Sequence, residues 1–542
     1  MHALTIPSAS IADQPLDVLT HLLALVALAA AAGVGGALAL RARGLRWDWT
    51  LLGLGAALIL HGLFASLGSL VTLAWVAATL TAVRWHAADL RAGGDLAAQA
   101  AARLGVADAV RTWGARRAML RSPAPAWIDE RGLVLGFDQR GHAARIPFGR
   151  SSGSHSLVVG ATGSGKTVTQ AWIVVRSVEA GHGAIVVDPK GDRYLRSALV
   201  AAARSAGRRF VEWTPDGPSV YNPYGDGTDT EIADKALAAE RYTEPHYLRQ
   251  AQRYLGHTIR GMLAAGIAVS PRSLVAHLEP DRLELLARRL PEDQAREVWA
   301  YLDSLTARHL RDLGGTRDRL AVLAEADIGR WLDPEGGAGP AFVLADAVSE
   351  RAVVLFNLEA DRRPLLAQML GAAIVQDLLS TAARHQDAPI PTVVMIDEFS
   401  ALQATSISRL FARTRAAGMS LVLGTQELSD LRLGRGEAVL DQVLGNVAAL
   451  IAHRQVVPES AELVSGVAGS RGAWLRSERT LEGLAGTAPT GAGTRTRGRE
   501  PVVMADDIQR LATGRAAVIV PASGDPARIV HVLRQAEGEG AP

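Results

Sequence analysis

Apolar positions along this chain fall into three regimes. From 18 to 40 they are continuous apart from Thr20 and His21, and a second continuous block runs from 50 to 83. At 1.5 Å of rise per residue either block is long enough to cross a ~30 Å hydrocarbon layer. The second exceeds one span, with a soft point at Ser66-Leu67-Gly68-Ser69, and reads as one long tilted helix or a tight hairpin of two short ones. From 86 to 123 Ala, Arg and Leu recur at helical spacing until Pro123-Ala124-Pro125 stops them, which predicts a helical stalk.

Beyond 127 the pattern changes. Residues 127–148 read as strands with turns at Glu130-Arg131-Gly132 and Gln139-Arg140-Gly141. Short apolar runs then alternate with helical stretches: 157–159, 184–188, 210–213, 352–356, 393–396, 420–424, 517–520 and 528–532. Such runs suit strands buried on both faces of a parallel sheet, so the expected class is a doubly wound α/β core with ligands at the carboxyl ends of the strands. Between 229 and 331 the strand signal disappears, which predicts an all-α insertion broken at 266–271 and Pro291. Within it Arg249, Arg253, His257 and Arg260 share one helical face, beside an apolar stripe of Leu248, Leu255, Ile259 and Met262. That basic face is either solvated or meets a DNA backbone or an acidic protein. Residues 472–500, rich in Gly, Thr, Ser and Arg, read as a mobile basic loop.

Two stretches carry chemistry. Gly160-Ala161-Thr162-Gly163-Ser164-Gly165-Lys166-Thr167 joins a strand to a helix in the G-x-x-x-x-G-K-T pattern of a phosphate-binding loop. Gly160, Gly163 and Gly165 allow positive φ and close approach of backbone N–H groups to a phosphate, with Thr162 and Ser164 completing the cradle. The helix that follows adds its unpaired N–H groups. Lys166 is expected to reach the β and γ phosphates and Thr167 to offer its hydroxyl to Mg²⁺, so the cofactors implied are ATP and Mg²⁺. In Val393-Val394-Met395-Ile396-Asp397-Glu398, a buried strand delivers two carboxylates to the same sheet edge. Asp397 would hold Mg²⁺, directly or through water, and Glu398 would act as general base on the attacking water. Gln426, after the strand 420–424, is placed to sense the γ-phosphate or orient water. Arg413 and Arg415 either complement a helix dipole or reach a neighbour's nucleotide.

Composition narrows little. The 542 residues hold 57 Lys+Arg against 55 Asp+Glu, a net +2, so bulk charge announces no nucleic-acid partner. With no cysteine, disulfides, thiolate metal sites and cysteine nucleophiles are excluded. The 48 % hydrophobic content is explained by the N-terminal end. No Lys or Arg precedes the first apolar block, so it is not read as a cleaved secretory signal. Arg41, Arg43 and Arg46 lie between the blocks and Arg84 and Arg91 follow them. The positive-inside rule then favours an outside N-terminus, a cytoplasmic 41–46 loop and three spans. The alternative is two spans with that loop outside; both leave the phosphate-binding loop in the cytoplasm. His61, inside the second block, is either functional or packing glue.

In order and spacing these motifs resemble the type IV coupling proteins, the TraG/TraD group of membrane-anchored conjugative ATPases, within the wider HerA/FtsK class of P-loop motors. The matching stretches are 160–167, Asp188-Pro189-Lys190-Gly191, Tyr221-Asn222-Pro223 and Ile396-Asp397-Glu398-Phe399, followed by Arg415-Ala416-Ala417-Gly418, Gly424-Thr425-Gln426, Gly445-Asn446 and Ala461-Glu462-Leu463-Val464-Ser465-Gly466. Residues 395–466 resemble the part of those proteins thought to contact the relaxosome. The resemblance implies a RecA-like nucleotide-binding domain, here 127–228 and 332–534, around the all-α insertion of 229–331; the residue pattern itself is read as a transmembrane anchor over 1–85, a stalk over 86–126 and a disordered tail over 535–542. It implies a hexameric ring with ATP between subunits, non-sequence-specific contact with DNA, and a link from relaxase-bound DNA to a type IV secretion channel at the inner membrane. Arg415 matches an arginine presented to a neighbouring subunit's nucleotide. Two departures stand out. Ser154 and His155 occupy the place of an arginine before the loop strand, with Arg150 the nearest substitute, and members commonly have two spans. Other readings are a nucleotide-dependent receptor platform for secreted proteins and a FtsK/HerA-like double-stranded DNA translocase.

Overall fold

The computed structural model describes residues 14–92, 105–120, 127–149, 153–240, 242, 244–400, 407–432, 437–483 and 486–535. The chain forms two compact units: Met1–Leu120 with Gln139–His142 and Arg471–Glu500, and Arg121–Asp138 with Ala143–Ser470 and Pro501–Pro542.

In chain order the strands are β1 (Ile128–Asp129), β2 (Gly132–Asp138), β3 (Ala143–Ile146), β4 (Ser156–Val159), β5 (Gly183–Asp188), β6 (Phe210–Trp213), β7 (Val220–Tyr221) and β8 (Ala341–Phe342). After them come β9 (Val353–Asn357), β10 (Thr392–Ile396), β11 (Met419–Thr425), β12 (Ala449–Ala452), β13 (Ser470–Gly483), β14 (Gly486–Pro501), β15 (Arg515–Ile519) and β16 (Arg528–Val532).

The larger unit is built on one 12-stranded sheet ordered β1-β2-β16-β15-β12-β4-β11-β10-β5-β9-β6, with β3 on β2. From β6 to β12 every pairing is parallel, and from β12 to β1 every pairing is antiparallel. The parallel strands β4, β5 and β10 are buried at every position, because helices cover both faces. This explains why they read as unbroken apolar runs. The expected α/β class therefore holds, as a mixed sheet rather than a purely parallel one. Helix Pro364–Arg384 has the length and apolarity of a membrane span, yet 78 % of its apolar window is buried, so it is a core helix.

Strands β7 and β8 pair in register, Val220 with Ala341 and Tyr221 with Phe342. They close the neck of the helical segment between them, which runs Asp229–Ala236, Pro245–Ala264, Pro271–His277, Pro280–Ala287, Glu292–Asp303 and Ala307–Glu325. Pro245, Pro271 and Pro280 each open a helix, where a missing N–H costs nothing. The segment has its own core, including Leu255, Ile259, Leu274 and Leu283. Three of the four residues of the basic face make contacts within the segment, and Arg249 is exposed. Arg260 pairs with Asp229 at 2.7 Å, Arg253 lies over the Tyr301 ring at 4.6 Å, and His257 stacks on that ring at 4.2 Å.

In the smaller unit α1 (Gln14–Ala42), α2 (Trp49–Leu63) and α3 (Ala65–Ala92) replace the two apolar blocks. The windows Thr20–Ala42 and Gly68–Arg91 are long and apolar enough to span a membrane. Helix α2 has 15 residues, about 22 Å, which is short of a ~30 Å layer. The second block is thus a hairpin, broken at Phe64 rather than at 66–69, with unequal legs. Leu28 is 68 % and Ile59 69 % exposed, as lipid-facing side chains are. Arg41 pairs with Asp89 at 2.8 Å, tying α1 to α3. His61 Nδ1 and Ser69 Oγ share a 3.2 Å hydrogen bond across the hairpin. A further helix, Val106–Leu120, falls in the expected stalk.

The segment expected as a mobile loop, 472–500, is instead the paired strands β13 and β14. Arg495, Arg497 and Arg499 alternate with small residues at period two, which is strand spacing. Arg497 lies over the Trp474 ring at 5.3 Å. In the expected tail, Gln535 accepts a hydrogen bond from Arg176, and 536–542 lie outside the described residues, as does Arg150.

Candidate nucleotide-binding site

The loop 160–167 leaves the carboxyl end of β4 and opens the helix Lys166–Glu179. Gly163 has φ +74° and Gly165 φ +104°, so both adopt the left-handed conformation their place demands. Gly160 is not among the positive-φ glycines. Its need is room, because a Cβ there would stand 2.5 Å from Ser164 Oγ and 2.7 Å from His453 Cβ.

Strand β11 separates β4 from β10, and register pairs Thr425 with Val159 and Leu423 with Ile396. The ends of all three strands, and of β5, therefore meet on one edge. There Lys166 Nζ donates to Asp397 Oδ1 at 2.6 Å and lies 3.4 Å from Glu398 Oε2. All three side chains are buried. Glu398 has φ +46°, a conformation that a side chain with a Cβ adopts at a cost.

Residues that sequence reasoning had not assigned complete the surroundings. Lys190 Nζ also stands 3.4 Å from Glu398 Oε2. It is presented by a turn in which the Asp188 carboxylate accepts from the N–H groups of Lys190 and Asp192. Burial, with the nearby Asp397 charge, raises the Asp188 pKa. From the other side Ala161 N–H donates to Arg454 O, Gly514 N–H to Ser164 O, and Thr513 Oγ1 to Gly163 O. His453, fully buried, faces the Arg515 carbonyl with Nδ1 at 2.9 Å and Thr169 Oγ1 with Nε2 at 2.8 Å. Nδ1 must therefore carry the proton and Nε2 accepts from the threonine hydroxyl. Burial lowers the His453 pKa to about 4, against its backbone hydrogen bonds and with the help of the Lys166 charge.

Gln426 follows β11 at the same edge, half-buried, its carbonyl accepting from Gln455 Nε2 at 3.1 Å. Arg415 is not brought to the cluster. It is exposed just before β11, at the opposite edge, where its carbonyl accepts from Gly153 N–H. His155, in the place of the expected arginine, is a buried staple: Leu421 N–H donates to its Nδ1 at 3.2 Å and its Nε2 donates to Phe411 O at 2.9 Å.

Among the described residues no three His, Asp or Glu side chains gather as a metal-binding group. Magnesium needs none, since it is held by one or two protein oxygens together with phosphates and water. The Thr167 hydroxyl and Asp397 carboxylate are hard donors of that kind. Among the described residues the buried Ser164 Oγ and both amide atoms of Gln170 have no hydrogen-bond partner, which leaves polar capacity beside the loop for a ligand or water. The residues present fit a Mg²⁺-bound nucleotide.

Residues 140–531 match the family described as the type IV secretion-system coupling protein DNA-binding domain. Among curated protein sequences none matches significantly. Solved structures share the fold. One is the bacterial conjugative coupling protein TrwBΔN70 in an unbound monoclinic form, with TM-score 0.53 at 18 % identity over 76 % of this chain and 91 % of that one. Another is plasmid coupling protein TrwB with the non-hydrolysable ATP analogue ADPNP, with TM-score 0.51 at 18 % identity over 72 % and 88 %. A third is TrwB with ADP and Mg²⁺, with TM-score 0.50 at 18 % identity over 70 % and 86 %. With the family match spanning most of its length, this chain belongs to the type IV secretion-system coupling proteins.

Proposed function

We propose that this chain is a membrane-anchored ATPase that couples relaxase-bound DNA to a type IV secretion channel and drives conjugative transfer by hydrolysing ATP. The observation that carries the reading is the buried Lys166–Asp397–Glu398 cluster at the carboxyl edge of the sheet, directly against the phosphate-binding loop. Backbone amides of 160–165 cradle the phosphates, and Lys166 exchanges Asp397 for the β and γ phosphates. Thr167 and Asp397 would hold Mg²⁺, which when bound would offset charge on the phosphoryl oxygens. Glu398 accepts a proton from the attacking water, which Gln426 orients. Arg415, exposed and remote from its own site, serves a neighbouring subunit in a homo-oligomeric ring, read as a hexamer. DNA is gripped through its backbone, so binding weakens steeply with salt. The N-terminal helices anchor the chain in the inner membrane with the ATPase in the cytoplasm.

The test is steady-state ATP hydrolysis by the full-length chain in detergent, with and without single- and double-stranded DNA, beside Lys166→Ala. Hydrolysis that rises with DNA and with protein concentration, and is lost in the variant, supports the reading. Lysine-dependent hydrolysis indifferent to DNA would instead favour a receptor for secreted proteins.

A further inference from the structure

Gln170 lies one helical turn beyond Lys166, so the two side chains share a face of the helix Lys166–Glu179. It is completely buried, and among the described residues neither Nε2 nor Oε1 has a hydrogen-bond partner. A buried amide with both ends unpaired is costly, and such a group in a native protein calls for an explanation. Its surroundings supply one. A Cβ on Gly424 would stand 2.3 Å from Gln170 Nε2 and 2.4 Å from Asp397 Oδ1, so only glycine leaves room for the amide and the carboxylate side by side over β11. The carboxylate oxygen on that side, Oδ1, is the one that Lys166 holds at 2.6 Å. Two donors therefore flank a single oxygen, one engaged and one idle.

We propose that Gln170 is a positioning residue that takes over Asp397 Oδ1 when Lys166 turns to the nucleotide phosphates. The inference rests on the nucleotide-site reading above. The exchange moves no proton and breaks no covalent bond. Nε2–H of Gln170 donates to Oδ1 as the lysine ammonium leaves it, and the second carboxylate oxygen stays available to the metal's shell. A buried Asp397 is thus never left without a donor, which a carboxylate at this depth requires. The idle amide keeps the protein primed for the exchange.

The experiment compares the full-length chain with Gln170→Met and Gln170→Leu, which keep the bulk and remove the polar atoms. ADP binding is measured by calorimetry in MgCl₂ and again in EDTA, and thermal unfolding is followed without nucleotide. The expected result is that ADP binding in EDTA is unchanged, that the tightening produced by Mg²⁺ shrinks by about tenfold, a typical cost of losing an outer-shell partner, and that the nucleotide-free variants melt no lower than the parent. Unchanged Mg²⁺ dependence in both variants would overturn the proposal, as would variants that melt lower while keeping their Mg²⁺ dependence, which marks a purely structural amide. Absence of any Mg²⁺-dependent ADP binding in the parent chain would overturn the nucleotide-site reading itself, and this inference with it.

Discussion

Lys166 Nζ sits 2.6 Å from Asp397 Oδ1, with Glu398 completing a buried cluster of one cation and two anions. The lysine therefore has a second task besides phosphate binding, which is to keep two adjacent carboxylates tolerable inside the protein.

Replacing it exposes both tasks. Lys166→Ala should abolish hydrolysis and also lower the stability of the nucleotide-free protein by about 3 kcal/mol, the cost of leaving a buried partner uncompensated. Thermal unfolding beside Asp397→Asn/Lys166→Met checks this, because removing charge from both sides should recover much of the loss.

Glu398→Gln separates binding from chemistry. Loss of the general base should lower kcat by about 10²–10⁴-fold while nucleotide affinity is kept. A fall in affinity of similar size would show that Glu398 shapes the pocket rather than the reaction.

Arg415 stands at the sheet edge opposite the cluster, and in the ring proposed above it would act on another subunit's site. Arg415→Ala should bind ATP normally and hydrolyse it poorly. Oligomers mixed from Arg415→Ala and Lys166→Ala chains should regain activity that neither has alone, because some interfaces then combine an intact loop with an intact arginine.

Two histidines set an acid limit. Burial lowers the pKa of His155 to about 4, against its bond to Phe411 O, and that of His453 to about 4. Both folded values lie below the ordinary ~6.5, so between pH 6.5 and 4 the unfolded chain binds more protons than the folded one. Stability is therefore complete above about pH 6.5 and falls as the pH drops toward 4, by at most about 3 kcal/mol per histidine. Melting temperature against pH should show that slope, and His155→Gln should flatten it.

At the neck of the helical insertion, Lys235 pairs with Asp377 at 2.7 Å and Tyr221 donates to the same carboxylate at 2.7 Å, all buried. Asp377→Ala strands a buried ammonium and should destabilise by about 3–5 kcal/mol, with new protease cleavage near the neck. Lys235→Met together with Asp377→Leu should restore much of the stability.

The sequence displayed the parts of this fold that are locally written. Strands β4, β5 and β10 are apolar at nearly every position, and the loop 160–167 and the pair Asp397-Glu398 have fixed local spacing. Strand β12 escaped notice although 447–452 is an unbroken apolar run, because three of those six residues are alanine, which carries little strand preference. The roles of Lys190, His453 and Thr513 were hidden for another reason. Each depends on a partner more than 200 residues away, and nothing near a lysine, a histidine or a threonine announces such a meeting. Tyr221-Asn222-Pro223 was visible as a motif, but its use at a neck emerges only from the pairing of β7 with β8.

The clamp on the phosphate-binding loop has a consequence for biosynthesis. Thr513 grips Gly163 across a separation of 350 residues. A ribosome adding about 5–20 residues per second leaves the loop waiting roughly 20–70 s for this partner. The N-terminal apolar helices are long since made by then, so they can fold before the pocket is finished. Nascent and prematurely terminated chains therefore carry the loop without its Thr513 contact.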